Sequence, residues 1–128
     1  MNYYKVLVNG RSCNGGALVW SLPKAKRPGK WHSIRPPLLP CSNGIHVTSE
    51  PTRWYKWGCS VYEAETCGAS IQKPDSPDVL IVERCRLIRE VPHPSWWLDA
   101  VSFIESLKSV KWFAQHETPL PEWHVTLK

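Results

Sequence analysis

Five prolines and one glycine fall between residues 21 and 40. A proline ring fixes its own backbone and removes an amide hydrogen, so this stretch can form neither a long helix nor a central strand. It is expected to be an ordered but irregular loop with one short strand near Trp31. Other prolines divide the rest of the chain. Lys73 to Pro77 reads as a turn, Pro92 and Pro94 separate the C-terminal segment from the strands, and Pro119 and Pro121 interrupt the tail.

Between these breaks the periodicities are legible. Tyr3 to Val8 is rich in aromatic and β-branched residues and reads as a strand, turned by Asn9-Gly10. Gly15-Gly16 is another break, with a second strand expected over Ala17 to Trp20. Asn43-Gly44 is a glycine turn leading into a short apolar strand, Ile45 to Thr48. A helix of one to two turns should come next, with Ser49 as N-cap, Pro51 in its first turn and Gly58 ending it. Ser60 to Glu65 is the next strand. Asp78 to Arg89 is a long one, apolar on both faces in its early part and therefore central in a sheet. Ser95 then caps a helix running to about Val110–Phe113, with Trp97, Val101, Ile104 and Leu107 at helical spacing on its inner side. Trp123 to Leu127 is a candidate edge strand. The class is α+β: a mainly antiparallel, mixed sheet with a short helix after residue 49 and an amphipathic C-terminal helix. The 128 residues read as a single domain, with a sheet-rich part over 1–91 that includes the basic loop 21–40, and a helix and tail over 92–128.

Charge is unevenly spread. Lys5, Arg11, Lys24, Lys26, Arg27, Lys30 and Arg35 all precede residue 41, where there is no acidic residue. Such an excess attracts phosphates and acidic surfaces. Eight tryptophans are many for 128 residues. Most should pack into the core, and one or two, Trp54 and Trp57 among them, are candidates to line a groove for a partner. No apolar run approaches the ~18–20 residues of a membrane span, and Met1-Asn-Tyr-Tyr-Lys5 does not resemble a signal peptide. A cytoplasmic setting is expected. There the five cysteines at 13, 41, 59, 67 and 85 stay reduced.

Chemistry is sparse. His46 and Thr48 alternate with Ile45 and Val47, so both point to one strand face beside a helix start, where small pockets are often built. Cys41, His46, Cys59 and Cys67 are zinc-type ligands without the close pairs of a structural zinc site, so no metal is expected. A cysteine–histidine nucleophile has no distinguishing spacing. No Walker loop, GxGxxG, GxSxG or HExxH motif is present.

The order of pieces resembles small ADP-ribosyltransferase-like domains, and is similar to short bacterial and phage domains with a Gly-x-His strand. The resemblance covers residues 3–90. Tyr3 to Val8 with Arg11-Ser12 stands in the first place, and Gly44-Ile-His-Val-Thr-Ser49 with Pro51 to Trp57 in the second. Val61 to Glu65 and Val79 to Val82 stand for the later strands. It implies a catalytic set of Arg11, His46 and Thr48, with NAD as cofactor. The family's glutamate falls where this chain has Asp75, Ser76, Pro77 and Asp78, so Asp78 or Glu83 would take its role.

Two functions are expected from these features. One is a small basic cytoplasmic binding module that engages nucleic acid or a nucleic-acid-handling protein, in the manner of a phage-type inhibitor. Lys24, Lys26, Arg27, Lys30, Arg35, Trp54 and Trp57 would form its surface, and no membrane is involved. The other is an ADP-ribosyltransferase-like enzyme, or a degenerate NAD-binding domain; a plain structural or scaffold domain with neither function is the remaining reading.

Overall fold

The computed structural model of the chain describes residues 2–12, 18–40 and 42–117. Six strands form one antiparallel sheet: β1 (Tyr3–Val8), β2 (Arg11–Ser12), β3 (His32–Ser33), β4 (Ile45–Thr48), β5 (Cys59–Gln72) and β6 (Val79–Val91). One helix, α1 (Ser95–Glu117), comes after them. The α+β class stands. Contacts divide the chain into two compact units, residues 1–92 and 93–128.

In the first unit the strand pairing closes on itself. β1 pairs with β5, β5 with β6, β6 with β4, and β4 returns to β1. All four strands send side chains to one core: Leu7 from β1, Ile45 and Val47 from β4, Tyr62 from β5, and Val82, Cys85 and Leu87 from β6, with Trp20 added from a loop. Burying each such aliphatic side chain is worth about 1.5–3 kcal/mol. β6 is central, as its two apolar faces require, with β5 on one edge and β4 then β3 on the other. Its inward residues shift from Leu80 and Val82 to Cys85 and Leu87, a change of parity. The register of β5 slips opposite this point, between Cys67 and Ser70, where Gly68 has φ +83°.

β1 and β4 have the bounds expected of them, and Asn9 and Gly10 both take positive φ, as a tight two-residue hairpin turn demands. Three expectations change. β5 extends to Gln72, well past Glu65, because its second half is held by the hairpin with β6 rather than by apolar alternation. The segment after residue 49 is a four-residue 3-10 turn, Pro51–Trp54, with Glu50 at the cap position and no side-chain cap. Ser49 lies one residue before that position, where its amide and its hydroxyl both donate to the Asp78 carbonyl, at 2.9 and 3.5 Å. Leu18 to Trp20 is not a strand: only Val19 bridges Arg11, and Ala17 lies outside the described residues. The loop from 21 to 40 is ordered as expected. Gly29 donates its amide to Leu87 of β6 at 2.8 Å, and Lys24 and Arg27 close a turn by exchanging backbone hydrogen bonds.

In the second unit Ser95 is the first helical residue rather than a cap, and the Pro94 carbonyl accepts the Trp97 and Leu98 amides. Trp97, Val101 and Leu107 are half-buried. Ile104 is not a core residue: it is 41% exposed, and Trp96, Leu98 and Phe103 are exposed too. The Trp112 side chain and the Trp123–Leu127 segment lie outside what the structure describes. No helix among the described residues is long and apolar enough to cross a membrane.

Candidate functional site

A cavity of about 570 Å³ opens beside β1 and β4. These strands share a single backbone pair, Tyr4 with Thr48, whereas β4 is bound to β6 through four consecutive pairs. Continuing the β1–β4 register would set Val6 against His46, and both instead line the cavity. Lys5 bridges the strands where their pairing stops. Its ammonium donates to the His46 carbonyl at 2.7 Å and lies 5.7 Å from the Trp20 ring centroid. Lys5 alternates with Tyr3 and Leu7 on the core-facing side of β1 and is only 7% exposed.

His46, Thr48, Ser12, Ser42 and Lys73 supply the other polar lining, and Trp20 and Trp54 form apolar wall. Burial lowers the His46 pKa, and the charges of Lys5 and Lys73 act the same way against an opposing hydrogen bond to the Gly44 backbone. The imidazole is therefore neutral at neutral pH. His32, whose Nε2 accepts the Ser21 amide at 3.1 Å, is also lowered by burial. Both rings resist protonation in the folded chain but accept a proton freely once unfolded. Stability is complete above the ordinary value of 6.5 and falls as the pH drops through and below it. Thermal melts should show the midpoint falling below that pH, and a His32→Gln/His46→Gln double variant should flatten this part of the profile. A flat wild-type profile between pH ~7 and ~5 would contradict the assignment.

Behind the cavity wall stands Asp78, the residue before β6. Its Oδ2 accepts the Thr48 hydroxyl at 2.7 Å and the Trp54 indole N–H at 2.8 Å, and its Oδ1 accepts the Arg53 guanidinium at 2.9 Å. Burial alone would raise its pKa. The bonds from Trp54 and Thr48 and the charge of Arg53 overcome that and hold the carboxyl below its ordinary value. Thr48 is saturated as well, since its oxygen accepts the Glu50 amide at 3.0 Å.

The candidate catalytic residues are thus distributed unevenly. His46 and Thr48 meet in the cavity, and Asp78 meets Thr48 from behind it. Arg11 is exposed on β2 and does not line the cavity. Glu83 lies five residues along β6 from Asp78, where its carboxylate accepts the Ala69 amide at 2.9 Å and fastens the β5 irregularity. Cys59 and Cys67 lie eight residues apart on β5, roughly 25 Å along a strand, too far to share a metal ion. Burial pushes the Cys85 thiol up to about 12, so it stays protonated. Cys41 lies outside the described residues.

The candidate surface residues Lys24, Lys26, Arg27, Lys30 and Arg35 are all exposed. Trp57 is 44% exposed, whereas Trp54 is committed to Asp78 and the cavity wall. A feature that the sequence did not reveal lies beside this loop. The guanidinium carbons of Arg84 and Arg86 each lie 4.8 Å from the Trp31 ring centroid. Arg84 also donates to the Ser33 hydroxyl at 3.2 Å, and Arg86 to Glu65 at 2.6 Å. Arginines alternating on one strand face were visible in the sequence, but their tryptophan lies more than fifty positions away. No protein-family model, curated protein or solved structure matches this chain.

Proposed function

We propose that the chain is a small cytoplasmic binding module that holds a nucleic acid on a basic face. Loop 24–35 provides Lys24, Lys26, Arg27, Lys30 and Arg35, and β6 provides Arg84 and Arg86. The observation that carries this reading is the Trp31 ring with its two guanidinium groups. It joins the exposed loop to the sheet, because Trp31 leads directly into β3 and β3 pairs with Arg84 and Cys85. Cations held on an aromatic face lose less freedom on meeting phosphates than freely moving ones. The Arg86–Glu65 pair leaves Arg84 and the loop as the stronger cations of the face.

The transferase-like reading with NAD would need Asp78 or Glu83 to leave hydrogen bonds that it already makes. A phage-type inhibitor would place the same face on a nucleic-acid-handling protein. Salt dependence separates it from direct nucleic-acid binding.

Fluorescence anisotropy with a labelled single-stranded oligonucleotide tests the proposal. Affinity should fall steeply between ~50 and ~200 mM salt as released counterions oppose binding. Reversing Lys26 and Arg27 to glutamate should weaken binding several-fold at the lower salt and less at the higher, where charges farther apart than ~10 Å are screened. The melting temperature should hardly move, since both side chains are exposed. Unchanged affinity at low salt would overturn the reading.

A further inference from the structure

The cavity beside β1 and β4 is not absorbed by a polyanion-binding face, being far too small for a chain of nucleotides. Its lining nevertheless has a consistent chemistry. Lys5 and Lys73 both line it, and none of the described lining residues is acidic. The nearby carboxylate of Asp78 is turned away, toward Thr48, Trp54 and Arg53. The Lys73 ammonium lies 3.7 Å from Asp75, whose side chain is largely in solvent, so a stronger anion could displace that contact. Trp20 and Trp54 offer broad apolar surface, with Ile34, Ile45 and Val47 close by. Ser12 and Ser42 add hydroxyls that can donate to an oxygen.

A volume of about 570 Å³ lies within the range of small-molecule sites, which are mostly apolar with a few oriented polar groups. Two positive side chains and two indole rings lining one such space define an amphiphilic ligand. We propose that the cavity binds a small organic anion, with its carboxylate or phosphate head on Lys5 and Lys73 and a flat apolar body against Trp20 and Trp54. The Lys5 ammonium already spans the β1–β4 gap to the His46 carbonyl, so an anion there would also cross-link the weakest seam of the closed strand pairing. Binding should therefore slow amide exchange along β1 and β4 as well as fill space.

The test is a titration of the intact chain, without nucleic acid, monitored by two-dimensional NMR of backbone amides and tryptophan indoles. The probes are naphthalene-2-carboxylate, its neutral carboxamide, and inorganic phosphate. The carboxylate should give saturable shifts at the Trp20 and Trp54 indoles and at the Lys5 and His46 amides. The carboxamide should bind at least about tenfold more weakly, a difference of about 1.4 kcal/mol. Phosphate should shift Lys5 and Lys73 with little effect on the indoles if the head group alone is recognised. Lys73→Met should lower carboxylate affinity several-fold, and Lys5→Met by more. Should the buried Lys5 position not tolerate the change, the Lys73 variant decides, its fold checked by its own amide spectrum. Equal affinity for acid and amide would overturn the proposal, as would shifts confined to Trp31, Arg84 and Arg86, or no saturable shift at about 1 mM probe. Read without nucleic acid, the titration stands or falls separately from the basic face.

Discussion

Asp78→Ala should destabilise the chain by about 2–5 kcal/mol. The carboxylate accepts three side-chain donors, so its loss strands the buried Thr48 hydroxyl and the half-buried Trp54 indole N–H. Each orphaned buried donor costs about 1–3 kcal/mol. Arg53 contributes little to this sum, because its own side chain is more than half exposed and can turn to solvent. Three pieces lose their common anchor: the end of β4, the 3-10 turn and the start of β6. Urea denaturation should show a lower midpoint with an unchanged slope, and Thr48→Val, which removes one of these donors together with the acceptor of the Glu50 amide, should lie between wild type and Asp78→Ala. A loss below about 1 kcal/mol for Asp78→Ala would mean that these donors find other acceptors. The acid limb gives a second check. In the fold the carboxyl titrates below its ordinary value of 3.8, so the unfolded chain takes up the proton first. The contribution is complete above that value and is lost as the pH falls below it toward the folded pKa. Asp78→Ala should remove this part of the acid transition.

Gly44→Ala should cost about 2–6 kcal/mol from two additive causes. Gly44 has φ +137°, a conformation that side-chain-bearing residues rarely adopt. A Cβ built there would also lie 2.4 Å from Cγ2 of Ile81, which is fully buried. Neither atom has room to yield, because Ile81 pairs across to His46 and to Ile71 at the centre of the sheet. An Ile81→Ala/Gly44→Ala double variant separates the causes: it should recover the steric part relative to the sum of the single changes, and the strain should remain. A single Gly44→Ala variant as stable as wild type would contradict both.

The range of each interaction decides how much of it was legible in the sequence. β1 and β4 showed their bounds because alternation and Asn-Gly turns act within a few residues. β6 announced itself as central because Val79 to Val82 is apolar on both faces. The second half of β5, Thr66 to Gln72, has no such alternation: it is a strand only because β6 folds back along it. The short helix is one 3-10 turn with no side-chain cap, and Ser49, the cap that local spacing suggested, hydrogen-bonds instead to Asp78, 29 positions away. At the site, His46 and Thr48 could be assigned to one face by counting. Asp78 could be noticed as a carboxylate, but its donors lie 24 to 30 positions away, so its work as an anchor was hidden. Lys5 stood in plain view as the one charge within a strand that otherwise reads as core. Only the splaying of β1 from β4 gave it a purpose.

The pairing of β1 with β5 also has a consequence in time. Tyr3 meets Ala64 and Val8 meets Cys59, so β1, once made, must wait for this partner some fifty to sixty residues later. At the usual pace of translation that is a delay of roughly 3–12 s. Throughout it, Tyr-Tyr-Lys-Val-Leu-Val would be an apolar segment of high strand propensity, open to pairing with any neighbouring nascent chain. A charge at the third position of such a segment is what discourages that pairing. The residue whose charge works against such pairing in the unpaired strand is the same one whose ammonium ends as the buried bridge to His46.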